Sequence, residues 1–206
     1  MAGMDHVAGM DHDHSTPNPL HRDLDALQAG LADVRLAPRG RGTVEMLVAR
    51  PAPRARTVLE VGQLDPVEGL VGDNWRARGS SRMPDNAPNA EAQLTVMNAR
   101  AAALVAGERE RWPLAGDQVY VDLDIGAEAL PAGTRLRLGE AVIEVTALPH
   151  RGCAAFAARF GHPALRFVNS DEGLALRLRG VNARIVEGGT VRVGDAVVVV
   201  ETPLGA

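Results

Sequence analysis

The sequence predicts a mainly β protein, a closed or nearly closed β-barrel with helical insertions and an N-terminal amphipathic helix. Three observations carry this expectation. Seven or eight short stretches alternate apolar and polar residues, glycine-bearing turns separate them, and helical periodicity is confined to a few short segments. No sustained strand-helix-strand rhythm supports a doubly wound parallel sheet.

The 206 residues suit one globular domain with a terminal appendage, and 46% apolar against 23% charged residues excludes a disordered or fibrous chain. Aromatic residues supply only 3%, so the core must be aliphatic, and stacking platforms for single-stranded nucleic acid are not expected. All 22 basic residues are arginine and the net charge is −4. Lysine chemistry is therefore excluded and general binding to a phosphate backbone is disfavoured, while a local arginine cluster can still hold one anion. With one cysteine, Cys153, neither an intramolecular disulfide nor an all-cysteine zinc site can form within the chain. No signal-like or membrane-spanning apolar run is present, so a cytoplasmic protein without a membrane or nucleic-acid partner is expected.

Along the chain, residues 1–16 carry an imperfect repeat of Ala-Gly-Met-Asp-His and read as a disordered leader. His6, His12 and His14 with Met4 and Met10 can capture copper or nickel adventitiously, although a leader without a physiological ligand is the stronger reading. Leu20, Leu24, Leu27, Leu31 and Val34 are spaced as one amphipathic helix over 17–34, which with the connection to residue 41 precedes a barrel domain at 42–206. Strands are expected at 43–49, 56–61, 94–97 and 117–123, with a helix at 98–106 capped by Asn98 and stopped by Gly107. Residues 62–93 read as one long loop, and such a loop in a compact domain is usually functional or mobile. Two hairpins follow, 134–138 with 141–147 and 181–186 with 190–200, and between them lie helices at 154–160 and 170–178, the second capped by Ser170.

Chemistry concentrates at Pro149-His150-Arg151-Gly152-Cys153, where a strand gives way to an alanine-rich helix. A cysteine at a helix N-terminus meets unpaired N–H groups and the positive end of the dipole, and His150 and Arg151 add positive charge, so the thiolate is favoured. Such a thiolate can accept sulfur as a persulfide, ligate a soft metal or act as a nucleophile. A small buried cysteine starting an apolar helix is an equally good reading. Arg76, Arg78 and Arg82 lie among Gly79, Ser80 and Ser81 in the long loop, where guanidinium forks suit a phosphate, although each arginine alone is better read as solvated. Asp73 and Asn74 open that loop and either orient a ligand or make an Asx turn. Asp122 and Asp124 share a strand face and read as a solvated edge. Gly-Asp at 116–117 and 194–195 reads as two turns, and His162 as an exposed loop imidazole.

These segments fall in a series that resembles the MOSC domain, named for the C-terminal part of molybdenum cofactor sulfurases. The matching pieces are residues 67–75 (VEGLVGDNW), 93–98 (QLTVMN), 114–123 (LAGDQVYVDL), 136–141 (LRLGEA), 149–153 (PHRGC), 178–183 (LRGVNA) and 193–197 (VGDAV), in an order that spans about 42–200. The resemblance implies a barrel like the small pyruvate-kinase domain, molybdenum cofactor (molybdopterin) binding, and sulfur carriage on the one cysteine able to match, Cys153, which is also the implied metal ligand. Cofactor contacts would then fall to Asp73, Asn74, Arg76, Arg78, Arg82, His150 and Arg151. A cysteine desulfurase or similar protein is the implied sulfur donor, and the family also has an association with pyridoxal phosphate. Relatives reduce N-hydroxylated compounds, and their cysteine segments are usually richer in arginine and proline. The chain looks like a stand-alone MOSC protein, with a non-catalytic binding module and a molybdenum-dependent reductase as the alternatives.

Overall fold

The computed structural model describes residues 20–203, so the expected leader lies outside the described residues. Two short helices come first, α1 (Leu24–Ala29) and α2 (Leu31–Arg35). They replace the single five-turn helix that leucine spacing predicts. The break falls at Gly30, which packs against Leu104: a Cβ there would sit 2.3 Å from Leu104 Cδ1, and that side chain would have to move to accept it. Leu27, Leu31 and Val34 are buried as the periodicity requires, whereas Leu20 and Leu24 are exposed.

The strands are β1 (Arg41–Ala49), β2 (Thr57–Leu59), β3 (Val61–Asp65), β4 (Gly69–Leu70), β5 (Leu94–Asn98), β6 (Val119–Asp122), β7 (Arg135–Leu138), β8 (Ala141–Val145), β9 (Val181–Glu187), β10 (Gly189–Arg192) and β11 (Ala196–Glu201). The main sheet runs β11-β7-β8-β9-β5-β6-β1-β2, and β11 also pairs with β1. That pairing, with Gly42 opposite Val197, closes a seven-stranded barrel and leaves β2 as an extra strand beside β1. Closure removes the exposed edges that a sheet of this size would otherwise present. All neighbours are antiparallel except β5 and β6, whose parallel pairing needs a crossover. It is supplied by α4 (Ala99–Ala106), after the intervening α3 (Trp75–Arg78), and by a 3₁₀ segment at Arg109–Ala115. Asn98 caps α4 by accepting from the Arg100 and Ala101 N–H groups, and Gly107 ends it with φ 76°.

Alternation along β5 and β6 builds two cores. Val96, Val119 and Val121 fill the barrel, while Met97 and Tyr120 point outward under α4 and α5 (Ala154–Val168) with Trp112, Phe156 and Phe160. These strands are therefore buried on both faces. The helix α5 breaks at Gly161 (φ 88°), and α6 (Asp171–Ala175) follows with the Ser170 hydroxyl accepting from the Gly173 N–H.

Two sequence expectations are corrected. The second expected hairpin does not form, because β10 leaves β9 to pair with β3 in a separate three-stranded sheet with β4, and β9 lies between β8 and β5. The stretch 62–93 is not structureless. Buried Trp75 anchors it, donating from its indole N–H to the Asn89 carbonyl, and 3₁₀ turns at Pro84–Asn86 and Ala90–Ala92 carry the chain to Gln93. The buried Gln93 amide bridges the Pro66 carbonyl and the Ile185 N–H, fixing the end of the stretch to the barrel.

Candidate functional site

After β8 the chain leaves the barrel and reaches α5 through the irregular residues 146–153, which bend at 147–148. Cys153 is the N-cap residue of α5, with φ −127° and ψ 178°, and its carbonyl accepts from the Phe156 and Ala157 N–H groups. Its side chain makes no capping bond and is exposed. The backbone just before it is held at two points, since the Gly152 N–H donates to Asn169 Oδ1 (3.0 Å) and the Asn169 amide donates back to the Gly152 carbonyl (3.1 Å). A Cβ at Gly152 would approach Leu165 and Val168 to within 2.9 Å, so the glycine lets this segment lie flat on α5.

Cys153 lies at a cleft of about 500 Å³ lined also by Arg82, Pro149, His150, Arg151 and Asn182. The volume lies in the range of small-molecule sites. His150 and Arg151 also wall a smaller cavity of about 210 Å³ whose lining includes Arg177 and Arg179.

Beneath the cleft lies a buried polar network. His150 Nδ1 is 3.3 Å from Asn182 Oδ1, and the Asn182 amide donates to the Leu148 carbonyl. That assignment makes Nδ1 the protonated nitrogen and leaves Nε2 facing Asp117 Oδ1 at 3.5 Å. Asp117 Oδ1 accordingly has no hydrogen bond among the described residues. Asp117 is fully buried, and its charge is met by Arg179, which donates to Oδ2 (2.5 Å) and to the Ala115 carbonyl (2.8 Å) and lies over the Phe156 ring. Burial first, and the Arg179 charge second, hold the His150 pKa down to about 4 against the opposing pull of Asp117 and Asn182. At neutral pH the imidazole is uncharged, and the ion pair is Arg179 with Asp117.

The residues singled out in the sequence divide into two groups. Cys153, His150, Arg151 and Arg82 share the cleft. Asp73, Asn74, Arg76 and Arg78 do not line it. Asp73 is buried with both oxygens taken, by the guanidinium and N–H of Arg50 and by the N–H of Trp75, which is the Asx-turn arrangement. Arg76 forms a surface ion pair with Glu68. Asn74 and Arg78 line a separate hollow near Arg50. Asp122 and Asp124 pair with Arg100 and Arg39, and His162 is exposed.

Sequence reasoning passed over Asp117, Asn169, Arg179 and Asn182. Asp117 follows Gly116, a left-handed C-cap, and looks locally like any turn aspartate. Among the described residues no three His, Cys, Asp or Glu side chains gather into a metal-binding group, and no helix is long and apolar enough to cross a membrane.

Residues 73–198 match the MOSC domain. The chain belongs to the MOSC domain family. Solved structures agree on the fold of this MOSC protein. YuaD from Bacillus subtilis is 16% identical with a TM-score of 0.54, the match covering 77% of this chain and 95% of that one. YiiM from Escherichia coli is 17% identical with a TM-score of 0.51, covering 78% and 71%. A further crystal structure, titled as that of a hypothetical protein, is 17% identical with a TM-score of 0.55, covering 80% and 70%. No curated protein matches the chain. The cysteine segment of this MOSC protein, His150-Arg151-Gly152-Cys153, lies within the matched region and lines the cleft together with Arg82 and Asn182.

Proposed function

We propose that this MOSC protein holds molybdenum cofactor in the Cys153 cleft and carries sulfur as a persulfide on Cys153. The observation that carries the reading is the exposed thiol at a cleft edged by Arg82 and Arg151. The donor set suits the cofactor: one soft sulfur ligand and two guanidinium groups for its phosphate. When bound, the cofactor would supply a redox-active metal centre. The protein's own part is to fix Cys153 through the Asn169 clamp on Gly152, to bind the anionic end of the ligand with Arg82 and Arg151, and to keep an uncharged imidazole, His150, behind the thiol.

Loading of sulfur follows from the exposure of the thiol. The Cys153 thiolate attacks the outer sulfur of a donor persulfide, a new S–S bond forms on Cys153, the donor S–S bond breaks, and the donor leaves as a thiolate. No net oxidation or reduction occurs, and a cysteine desulfurase is the kind of protein that presents such a persulfide. Mass spectrometry and metal analysis of protein purified without added thiol test the reading. Protein carrying one extra sulfur atom on Cys153, or copurifying molybdenum, with both lost in Cys153→Ala, is expected. A thiol that resists iodoacetamide in the folded protein overturns sulfur carriage and leaves a binding module.

A further inference from the structure

A second basic hollow lies against α5 but excludes Cys153. It measures about 360 Å³ and is lined by Arg50, Arg54, Arg56, Asn74, Arg78 and Arg159 among others. Five guanidinium groups line one hollow, and the four besides Arg50, which pairs with Asp73, are a strong local charge in a chain whose net charge is −4. Asp73 is the carboxylate that faces them, and both its oxygens are committed to Arg50 and backbone N–H groups. Arg54, Arg56, Arg78 and Arg159 form no ion pair among the described residues.

Apart from the Arg50–Asp73 pair, backbone carbonyls hold this cluster. Arg56 donates to the Pro113 carbonyl (3.1 Å) and the Ala55 carbonyl (2.6 Å), Arg159 to the Leu114 carbonyl (2.6 Å) and Arg50 to the Gly116 carbonyl (3.0 Å). A carbonyl orients a guanidinium without cancelling its charge, so Arg56 and Arg159 keep theirs together with most of their five N–H donors, whereas Arg50 is also committed to Asp73. The Arg56 and Arg159 guanidinium groups both lie beside Gly116, where a Cβ would lie 3.4 Å from Arg56 Nη2 and 3.7 Å from Arg159 Nη1. Burial, and then repulsion from Arg159 and Arg50, lowers the Arg56 pKa, and burial with Arg50 lowers that of Arg78. A bound anion relieves that repulsion.

Two further features mark the hollow. Arg54 holds φ 67°, a left-handed conformation unfavourable for a non-glycine residue that persists where the surroundings fix it. Asn74 Oδ1, buried in the wall, accepts no hydrogen bond among the described residues, so a ligand hydroxyl or amino group meets a waiting acceptor there.

We propose that this hollow binds a phosphorylated small molecule, its phosphate monoester or pyrophosphate group held by Arg54, Arg56, Arg78 and Arg159, at a site separate from the Cys153 cleft. The volume exceeds a single oxyanion and fits a small organic phosphate. No aromatic side chain lines the hollow, so nothing there stacks a base of single-stranded nucleic acid. Arg78 also lines a neighbouring open hollow with Arg82, and Arg82 lines the Cys153 cleft.

Calorimetry with inorganic pyrophosphate at low salt, on the full chain, tests the proposal. Arg54→Gly removes the guanidinium and the backbone strain together, so it cannot fail merely by unfolding; Arg54→Glu reverses the charge. Cys153→Ser keeps an N-cap residue on α5 and serves as the control. The expected result is saturable binding to wild type, about tenfold weaker in Arg54→Gly, absent in Arg54→Glu and unchanged in Cys153→Ser. Three results overturn it: no binding to wild type, unchanged affinity in both Arg54 variants, or loss in Cys153→Ser, which would put the anion in the thiol cleft. A short single-stranded oligonucleotide that binds more tightly than pyrophosphate, and through Arg54, would likewise overturn a small-molecule ligand.

Discussion

His150 is neutral in the native state at pH 7, and keeping it so has a cost as the pH falls. In the unfolded chain its pKa returns to about 6.5, whereas the folded value is about 4. Between these values the unfolded state binds the proton that the native state refuses, so this residue's contribution to stability is complete above pH 6.5 and lost progressively down to pH 4. The difference of 2.5 pK units sets an upper limit of about 3 kcal/mol, of which about 2 kcal/mol is gone by pH 5. His150→Asn keeps a polar group able to reach toward Asn182 but does not titrate. Urea unfolding of wild type and His150→Asn at pH 7 and pH 5 isolates this imidazole from the protein's other titrating groups. Wild type should lose about 2 kcal/mol more than the variant over this interval. Equal losses, or a greater loss in the variant, would refute the buried neutral imidazole and with it the placement of Arg179 and Asp117 around it.

Asp117→Asn should be far more damaging than a turn substitution, because it leaves the Arg179 cation buried without its carboxylate; a loss of about 3–5 kcal/mol in urea unfolding is expected, against about 0.5 kcal/mol if Asp117 were a surface turn. Gly79 has φ 63°, and a Cβ there would come within 1.9 Å of the Asn86 carbonyl oxygen. Gly79→Ala should therefore open the 79–86 turn and speed amide exchange in that segment, while exchange in the barrel strands is unchanged.

What was legible in the sequence was what neighbouring residues decide. Asn98 and Gly107 bracket α4, and Gly139 turns β7 into β8, because caps and tight turns are chosen by contacts within a few residues. Closure of the barrel by β1 on β11 depends on a contact across most of the chain, which no local pattern announces. The same reason hid the fate of β10: Gly188 and Gly189 look like a hairpin turn, but Gly189 packs on the Glu140–Ala141 backbone and sends β10 to β3. Gly30 was invisible in the leucine periodicity because that spacing continues across the break, and the side chain it packs against, Leu104, lies far along the chain.

At the site, the placement of Cys153 at the start of α5 was legible from one glycine and an alanine run, whereas the sorting of the arginines was not. A guanidinium counts as a site residue only if its charge survives its surroundings, and that depends on whether its partner is a carboxylate or a carbonyl. Arg50, Arg100 and Arg179 are each neutralised by an aspartate, so they serve the fold. Arg56 and Arg159 lean on carbonyls, and Arg54, Arg78, Arg82 and Arg151 form no ion pair among the described residues, so their charge reaches the solvent around α5. A negatively charged protein thus presents a positive face at Cys153 and beside it. Because this field comes from exposed and half-exposed groups, it falls off over about 10 Å at 0.1 M salt, so anion capture there must weaken steeply with ionic strength while the buried Arg179–Asp117 pair does not.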